Sequence, residues 1–442
     1  MLFPLFEKSL CVHTASPRQI VLAFSGGVDS RVMLDLLAQY RNKHPQHRYL
    51  AIHIHHGLSG NADVWLAQCE GWAKAVEIPF KGIRVSLDSQ GESLEKVARE
   101  ARYKAIVSNV EPGALILAAQ HADDQAETFL LALKRGSGPA GLASMPALRE
   151  MGHAQLLRPL LSASRDQIES YASDKELSWV EDESNRDNRF DRNFIRNEWL
   201  PSAKARWPGI TKAINRTAQL CAEQEALLDI LLKDFDQDVV NSNGSLSIER
   251  LTQLETAIQT AVVRRWFKRQ TASVPSLAQL REVFSGVIDA AEDANPKLKI
   301  GQWWVHRHGA AIYIVKPTSD VTYWVQEVDL DVTCKLPDGL GIIYLSTVIS
   351  GSGQRLRAPE KDEVVRVQFN PEGLLAHPIG RQGKRKLKKL FQEYRVPTWE
   401  RRRTPLVFYG KQLVAVAGLF VCEGFEGQEC ELLWNKFHAL DA

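Results

Sequence analysis

The six residues Ser25–Ser30, which read Ser-Gly-Gly-Val-Asp-Ser, constrain the fold more than any other part of this sequence. The apolar run before them, Ile20–Phe24, predicts a buried strand, and apolar residues recur at helical spacing over Val32–Leu37. A glycine turn between a strand and a helix lets the backbone approach an anion, and the helix adds unpaired N–H groups and a positive dipole end. The predicted phosphate-binding residues are Ser25, Gly26, Gly27, Val28, Asp29 and Ser30.

Asp29 separates this loop from the common nucleotide-binding patterns. The loop has neither the lysine of a Walker motif nor the Gly-x-Gly-x-x-Gly of dinucleotide sites. A carboxylate beside phosphates is expected mainly where it holds a metal or takes part in the chemistry, so we predict one of these two roles for Asp29. An ordinary strand-to-helix turn is the alternative, disfavoured because ligands of such sheets collect at this turn. The loop resembles the pyrophosphate-binding loop of the N-type ATP pyrophosphatases, which split ATP into AMP and pyrophosphate.

Composition limits the remaining possibilities. A chain of 442 residues is long enough for about two to four domains, and 44% hydrophobic with 24% charged residues is typical of a globular protein. No transmembrane run and no signal peptide are visible, so we expect a cytoplasmic protein without membrane attachment. The net charge is only +2, so any nucleic-acid surface must be a local patch. The six cysteines include no Cys-x-x-Cys pair, which argues against disulfides and against zinc or iron–sulfur sites.

Strands and helices alternate along the N-terminal part of the chain. After the first βα unit, the pattern predicts strands at Tyr49–His55, Phe80–Val85 and Ala114–Ala119, and helices at Ala62–Val76 and from about Ser93 to Val110. Ser164 and Gln167 could open a later helix as a capping box. This alternation predicts an α/β fold with a parallel, doubly wound sheet. Because the loops after successive strands of such a sheet open on one edge, Ser25–Ser30, His55–Gly57 and His121–Glu127 should converge on one pocket.

The third of these loops carries paired carboxylates. Asp124 and Glu127 lie three residues apart at the start of a predicted helix, which places both on one face. Acidic residues in a first turn also stabilise a helix by themselves, and that structural role stays open. Clustered with Asp123 at the pocket edge, they suit a magnesium ion or a substrate ammonium group. Further along, Arg192 and Arg196 share a helix face and can reach a phosphate together, although surface arginines are an equally good interpretation.

The remainder of the chain is predicted to form two further domains. The first domain, residues 1–208, ends where the pocket motifs end. A mainly helical domain is expected over residues 209–349, with strands only from Tyr323 to Val348. Ser350–Gly353 reads Ser-Gly-Ser-Gly and is the best candidate for a linker. A small α+β domain is then expected over residues 354–442.

The C-terminal domain carries a strongly basic segment. Residues 381–403 hold ten basic and only two acidic side chains, in a chain whose net charge is +2. Apolar residues recur at helical spacing from Leu387 to Tyr394, so the cations lie off that face. A solvated helix surface is the alternative, but the size of the surplus favours a footprint for the phosphate backbone of a nucleic acid. The predicted nucleic-acid-binding residues are Lys384, Arg385, Lys388, Lys389, Arg401 and Arg403, with Trp399 as a stacking side chain.

In its motifs and their order the sequence resembles the bacterial tRNA(Ile)-lysidine synthases nearly from end to end. The loop is shared by many ATP pyrophosphatases, whereas the later segments in this order are more specific. The residues that carry the resemblance are Ser25–Ser30, His55-His56-Gly57-Leu58, Ala98-Arg99 with Arg102-Tyr103, His121–Gln125 with Glu127-Thr128, Arg158-Pro159-Leu160, Glu181-Asp182 with Ser184-Asn185, Arg192-Asn193 and Gly383–Leu406. Two small departures are Gln120, where many members have a histidine, and Thr398, where a proline often stands.

The resemblance implies a reaction. ATP would adenylate O2 of the wobble cytidine, at position 34, of a tRNA(Ile) with a CAU anticodon, and pyrophosphate would leave. The ε-amine of free lysine would then displace AMP at C2. The product base, lysidine, pairs with A instead of G, which changes codon recognition from AUG to AUA and aminoacylation from methionine to isoleucine. The implied partners are this tRNA and free L-lysine, and dimerisation is left open.

The resemblance also implies three sets of site residues. The ATP-binding residues are Ser25–Ser30, His56 and Gly57, with Asp29 on Mg²⁺. The lysine-binding residues are Asp124 and Glu127. The residues that neutralise pyrophosphate and the adenylate are Arg102, Arg192 and Arg196. One carboxylate must also accept a proton, because an amine with a pKa of about 10.4 has to be deprotonated before it attacks.

Three other functions compete with this interpretation. A tRNA thiolase of the same superfamily shares the loop, but thiolation commonly uses a cysteine pair or cluster, and the sequence has no Cys-x-x-Cys. A small-molecule amidating enzyme would leave the basic C-terminal domain unexplained. A tRNA-binding protein with an inactive nucleotide site is disfavoured by the intact Asp29, Asp124 and Glu127, and ATP turnover would exclude it.

Overall fold

A computed structural model describes residues 2–57, 59–86, 94–271, 273–291 and 294–436, apart from the side chains of residues 94–96, 184 and 186. The chain divides into two compact units, Met1–Leu231 and Leu232–Ala442. Three details of the sequence predictions lie outside the described part: the helix start at Ser93, the motif residue Leu58 and the side chain of Ser184. Within the described residues, no helix is both long and apolar enough to span a membrane.

The first unit is built on a six-stranded sheet. Its strands are β1 (Gln19–Ala23), β2 (Arg48–His55), β3 (Phe80–Arg84), β4 (Leu115–Leu117), β5 (Leu148–Met151) and β6 (Ala154–Leu157). They lie in the order β3-β2-β1-β4-β6-β5, and all neighbours are parallel except β5, which runs antiparallel to β6 at the edge. The predicted parallel, doubly wound sheet is confirmed. The central strands β1 and β4 are apolar and buried, as expected where helices cover both faces.

Helices cover both faces of this sheet. They are α1 (Leu2–Cys11), α2 (Val28–Lys43), α3 (Ala62–Ala75), α4 (Leu94–Val107), α5 (Ala122–Lys134), α6 (Pro139–Leu142), α7 (Arg165–Asp174), α8 (Asp191–Phe194), α9 (Leu200–Arg206) and α10 (Ile210–Leu231), with a 3₁₀ turn at Glu183–Arg186 and a π-helical turn at Ile195–Trp199. Phe6 of α1 and Ile168 of α7 lie in the core on one face, and Ile106 of α4 lies in the core on the other. The capping box predicted at Ser164 and Gln167 is confirmed at the start of α7.

The first compact unit includes α10, which follows residue 208, the predicted end of the N-terminal domain. Helix α10 contributes Ile214 and Ala218 to a small core that includes Ala126 and Phe129 of α5. The division therefore falls at the end of α10, near residue 231. The helical spacing of α10 indicates a helix but does not show which unit its apolar residues pack against, so the sequence could not place this division.

The second unit combines helices with many short strands. Its helices are α11 (Lys233–Val239), α12 (Ile248–Thr252), α13 (Thr256–Thr271), α14 (Leu277–Val283) and α15 (Leu387–Glu393), with a π-helical turn at Phe284–Ile288. Its strands are β7 (Leu246–Ser247), β8 (Lys297–Ile300), β9 (Trp303–His308), β10 (Ala311–Val315), β11 (Val325–Glu327), β12 (Cys334–Lys335), β13 (Ile342–Ser346), β14 (Gln354–Leu356), β15 (Val365–Gln368), β16 (Leu375–Ala376), β17 (Arg385–Lys386), β18 (Leu406–Tyr409), β19 (Gln412–Val416), β20 (Phe420–Val421) and β21 (Cys430–Asn435). The helical middle region is confirmed, and the sheet β7-β10-β9-β8 adds to it strands that the sequence pattern did not predict.

The C-terminal sheets extend across the predicted linker. Strand β13, before Ser350–Gly353, pairs with β21, and β14 pairs with the same strand. The carboxylate of Glu431, a buried residue of β21, accepts the backbone N–H groups of Ser350 and Gly351 at 2.5 and 3.2 Å. The linker prediction is therefore wrong. Glycine and serine suggested flexibility by composition, but this loop is tied to a carboxylate 81 residues further along the chain.

Candidate functional site

The predicted pocket lies at the carboxyl ends of the central strands. Strand β1 lies between β2 and β4, so the chain leaves β1 in opposite directions to reach its two neighbours. This is the topological switch point at which open α/β sheets bind ligands. The loops after β1 and β4 meet there, because His121 Nε2 lies 3.5 Å from Asp29 Oδ1. The predicted convergence of these two loops is thus observed.

Hydroxyl groups shape the loop at Ser25–Ser30 from within. Ser30 Oγ accepts the N–H of Gly26 at 3.0 Å and donates to the carbonyl of Gly27 at 3.0 Å. The Oγ atom of Ser25 lies 3.0 Å from Ser30 Oγ. Gly27 is the N-cap of α2, and no side chain caps this helix. The first N–H groups of α2 are therefore left for an anion, as a phosphate site requires.

Two properties of Gly26 limit this position to glycine. Its φ is +89°, and a Cβ built on it would lie 2.8 Å from Sγ of the buried Cys69. Gly26→Ala is expected to lower the free energy of unfolding by about 2–4 kcal/mol, through backbone strain and overpacking, as measured by denaturant titration. Gly113→Ala is the matched control, because its φ is +76° but the space around it is open. An equal loss of unfolding free energy in both variants would show that the close approach to Cys69 does not contribute to the effect.

Asp29 lies among cationic groups. Arg165 Nη1 donates to both carboxylate oxygens, at 2.9 and 3.1 Å, and His121 approaches from the other loop. Burial raises the pKa of Asp29, because its effect outweighs the charges of His121 and Arg165. Among the described residues, no three His, Cys, Asp or Glu side chains form a group that could hold a metal alone. Mg²⁺ commonly uses one or two carboxylates plus substrate phosphates, so Asp29 fits a metal that binds together with ATP.

Glu127 joins the two predicted arginines in one ion-pair network. Its side chain is only 1% exposed. Arg192 Nε donates to Oε2 at 3.0 Å, and Arg196 donates to both oxygens, at 2.6 and 2.9 Å. Arg196 also donates to Asp124 Oδ1 at 2.8 Å. The structure thus brings four predicted site residues together, but as partners of one another, whereas the sequence analysis assigned the carboxylates and the arginines to different ligands.

The two carboxylates of α5 differ in environment. Asp124 Oδ2 accepts the backbone N–H of His121 at 3.1 Å, which completes a capping box, so the structural role left open above is observed. Its side chain remains 15% exposed. Burial raises the pKa of Glu127, although the hydrogen bond and charge of Arg196 act in the opposite direction. Asp124 is therefore the more accessible carboxylate, and Glu127 the one that organises the arginines.

The predicted residues near β2 form a separate pair. Arg102 Nε donates to His56 Nε2 at 3.3 Å. Burial and the charge of Arg102 lower the pKa of His56 to about 4, so the ring is neutral at physiological pH and can accept this hydrogen bond. Gly57 follows with φ +68°. The Arg102 guanidinium thus lies against His56 and not against the carboxylates of α5.

Sequence analysis did not identify two residues that organise this site, Arg165 and Lys204. It named His121 as part of a converging segment but not as a neighbour of Asp29. Lys204 pairs with Asp123, which also accepts the N–H of Arg165 at 2.9 Å. The pKa of Asp123 is lowered, because these hydrogen bonds outweigh the effect of burial. Asp123 therefore anchors α7 and α9 to the loop. Arg165 directly follows the predicted cap at Ser164, which was an available signal, whereas nothing in the sequence near Lys204 indicated its role.

In the second unit, the predicted cationic surface is present around α15. Lys384, Arg385, Lys388 and Lys389 are exposed, and the opposite side of α15 is buried through Leu387, Leu390 and Phe391. Arg385 pairs with Glu393 at 3.0 Å. Tyr394 differs from the prediction, because the helix ends at Glu393 and the Tyr394 side chain is not buried.

Three other predicted RNA-binding residues are engaged inside the second unit. Arg403 pairs with Asp338 at 2.8 Å and is only 16% exposed. Arg401 Nε donates to the carbonyl of Val396 at 3.0 Å. The Trp399 ring packs against His306, with ring centroids 4.6 Å apart. The structure therefore does not favour an RNA contact for Trp399 or Arg403, because folding already uses these side chains.

Three protein-family models match the chain. A model described as PP-loop domain matches residues 5–203. Models described as TilS substrate binding domain and TilS substrate C-terminal domain match residues 246–313 and 365–438. The first match contains all the predicted site residues of the first unit, and the third contains the cationic surface around α15.

Curated relatives are similar over nearly the full length. The tRNA(Ile)-lysidine synthase of Vibrio atlanticus is 46% identical over 450 residues, which cover 98% of each chain. The tRNA(Ile)-lysidine synthase of Photobacterium profundum is 47% identical over 435 residues, covering 98% of this chain and 99% of its own. Among solved structures, the U34-tRNA thiolase NcsA of Methanococcus maripaludis matches with a TM-score of 0.43 and 18% identity, covering 50% of this chain and 78% of its own. Structural similarity at this level does not support a functional assignment.

Proposed function

The chain belongs to the tRNA(Ile)-lysidine synthase family, and from this premise we propose that it joins free lysine to the wobble cytidine of tRNA(Ile) bearing a CAU anticodon. ATP adenylates O2 of the cytidine at position 34 and releases pyrophosphate. The ε-amine of lysine then attacks C2 and displaces AMP. The modified base pairs with A instead of G, so the tRNA reads AUA and is charged with isoleucine. Its substrates place the reaction in the cytoplasm.

The loop after β1 holds the ATP phosphates in this proposal. The uncapped start of α2 supplies backbone N–H groups, and Ser25 and Ser30 supply hydroxyl groups. His56 and Gly57, at the end of the neighbouring strand, line the same edge of the sheet. Asp29 would hold Mg²⁺, which supplies charge neutralisation for the phosphates when bound. Before ATP binds, Arg165 neutralises the negative charge of the Asp29 carboxylate.

The carboxylates at the start of α5 bind and prepare the lysine amine. Asp124 is the more accessible member, with a side chain that is 15% exposed, and contacts the ammonium group directly. Glu127 acts through Arg192 and Arg196, because its oxygens already accept three of their N–H groups. A carboxylate of this cluster takes the proton that the amine must lose before it attacks.

The arginines stabilise the negative charge that develops during adenylation. Arg192 and Arg196 are fixed by Glu127, so their positions are set before the substrate binds. Arg102 stands on the His56 side and faces the phosphates from there. The target cytidine must leave its stack to reach this edge of the sheet. The second unit binds the rest of the tRNA.

The observation that carries the proposal is the direct meeting of the phosphate loop with the carboxylate helix, through His121 and Asp29. With purified protein, ATP and Mg²⁺, pyrophosphate release should require the tRNA, and AMP release should require lysine as well. Release of AMP that does not depend on lysine would contradict the proposed order of steps.

The cationic surface around α15 gives a prediction about tRNA affinity. Replacing four exposed cations by alanine should weaken tRNA binding at least about tenfold and lower the salt dependence by roughly one unit for each phosphate that the variant no longer neutralises. The substitutions are Lys384→Ala, Arg385→Ala, Lys388→Ala and Lys389→Ala. ATP binding, measured by calorimetry, should not change.

A charge-matched control separates this surface from net charge. It removes four exposed lysines elsewhere in the second unit, namely Lys316→Ala, Lys335→Ala, Lys361→Ala and Lys411→Ala. This variant should keep most of the tRNA affinity. Equal weakening by both sets of substitutions would show that general attraction, and not the surface around α15, binds the RNA.

A further inference from the structure

A groove of about 590 Å³ lies beside the end of α15 in the second unit. Its walls combine aromatic, apolar and charged side chains. The residues used below are Tyr394, Arg395, Glu400, Trp434 and Lys436. None of them belongs to the candidate active site in the first unit, and the proposed chemistry gives them no task.

Aromatic rings in this groove are fixed but not covered. Tyr394 stacks on Phe420, with ring centroids 5.2 Å apart and planes inclined by 30°. Tyr394 is nevertheless 40% exposed, so part of its surface is open to a further ring. Trp434 Nε1 donates to the carbonyl of Leu340 at 2.9 Å, which holds the indole in place. Such pre-ordered rings lose little conformational freedom when they bind a flat ligand.

Cations border the groove and continue onto α15. Lys436 Nζ lies 4.3 Å from the centre of the Trp434 ring and 3.9 Å from a carboxylate oxygen of Glu400. Arg395 is exposed at the turn that follows α15, where its φ is +54°. The exposed Lys388 and Lys389 stand on the helix that leads into this turn. These cations can bind the phosphates of a polyanion, and the aromatic rings of the groove can stack on flat groups that the polyanion carries.

We propose that this groove binds an unpaired nucleobase of the tRNA, an inference that rests on the proposed function. The base stacks on Tyr394, and its backbone phosphates contact Arg395 and the cations of α15. A paired base does not fit this role, because its faces are covered by its neighbours in the duplex. Stacking on aromatic side chains tolerates any base, so the groove contributes affinity and not sequence selection.

The test compares Tyr394→Ala with Tyr394→Phe in the full chain, because phenylalanine keeps the ring and removes only the hydroxyl group. The probes are whole tRNA, the same tRNA trimmed of its unpaired 3′ nucleotides, a short unstructured single-stranded RNA, and a blunt RNA duplex. Tyr394→Ala should weaken binding to whole tRNA and to the single strand about tenfold, whereas Tyr394→Phe should bind as the wild type does. Binding to the duplex should not change. Lys436→Ala, which alters an exposed side chain, should weaken the same two probes to a smaller extent.

The trimmed tRNA identifies the source of the base. If the Tyr394→Ala defect disappears on trimmed tRNA, the base comes from the 3′ end, and if it persists, the base comes from a loop. Unchanged binding of whole tRNA and single strand, or an equal loss on the duplex, would overturn the inference. Lysine labelling by the wild-type protein reports the proposed function independently, so failure of the groove and failure of the function give different results.

Discussion

Asp29→Ala is expected to reduce ATP-dependent joining of lysine to tRNA by at least about 100-fold. The substitution removes the only loop carboxylate proposed to hold Mg²⁺ beside the ATP phosphates, and it leaves Arg165 without the acceptor that it contacts at 2.9 Å. Both consequences act before the lysine step, so pyrophosphate release should fall together with labelling. The measurement is the initial rate of each product with saturating tRNA and lysine.

Asp35→Ala on the same helix is the matched control. Its carboxylate accepts the Tyr171 hydroxyl at 2.7 Å and lies outside the phosphate loop. This variant should keep the rate while losing some stability. Normal lysine labelling by Asp29→Ala would remove the assigned role of Asp29, and an equal loss by Asp35→Ala would show that the effect arises from the helix and not from the loop.

Glu127→Ala is expected to damage both stability and catalysis. Removal of a carboxylate that is 1% exposed leaves Arg192 and Arg196 without their common partner, at a cost of about 3 kcal/mol in the free energy of unfolding. The released arginines no longer hold fixed positions, and a misplacement of this kind lowers the rate about 100-fold. Denaturant titration and single-turnover labelling measure the two effects separately.

Two variants make the Glu127 result specific. Glu127→Gln keeps the shape and one acceptor oxygen, so it should lose less stability than Glu127→Ala while still losing activity. Glu223→Ala, at an exposed position of α10 in the same unit, should change neither quantity. A fully active Glu127→Ala protein would contradict the network as the support of the catalytic arginines.

Local patterns predicted the part of the fold that positions the site. The strands around the Ser25–Ser30 loop are short apolar runs, and each is followed by a helix with a clear apolar spacing, so a parallel, doubly wound sheet followed from general rules. The convergence of this loop with the segment His121–Glu127 followed in turn, because loops after successive strands of such a sheet open on one edge. The capping box at Ser164 was also predictable, because its two residues stand three apart.

Long-range partners were not predictable in the same way. The pairing of β13 with β21 and the hydrogen bonds from Ser350 to Glu431 join residues far apart along the chain. The sequence of either segment does not indicate that it pairs with the other. The same limit applies within the site. Asp124 and Arg196 were each identified by residue type, but an acidic and a basic residue 72 positions apart do not reveal that they bind one another.

Trp399 illustrates a further limit of composition. It stands in a basic segment, and this context indicated an RNA-stacking role, yet the ring lies against His306 and Tyr313 with centroids at 4.6 and 5.3 Å. The reverse error was made for Tyr394 in the same segment. Helical spacing assigned it to the buried face of α15, but its side chain is exposed. Exposure depends on what the rest of the unit packs against a side chain, and helical spacing alone does not contain that information.

The most direct test of the central claim is incorporation of radiolabelled lysine into bulk tRNA by the purified protein with ATP and Mg²⁺, with other amino acids as controls. The account predicts labelling that depends on ATP, is specific for lysine, and is confined to the isoleucine tRNA with the CAU anticodon. Absence of lysine labelling, together with pyrophosphate release that still requires tRNA, would contradict lysine as the nucleophile while leaving the adenylation step in place.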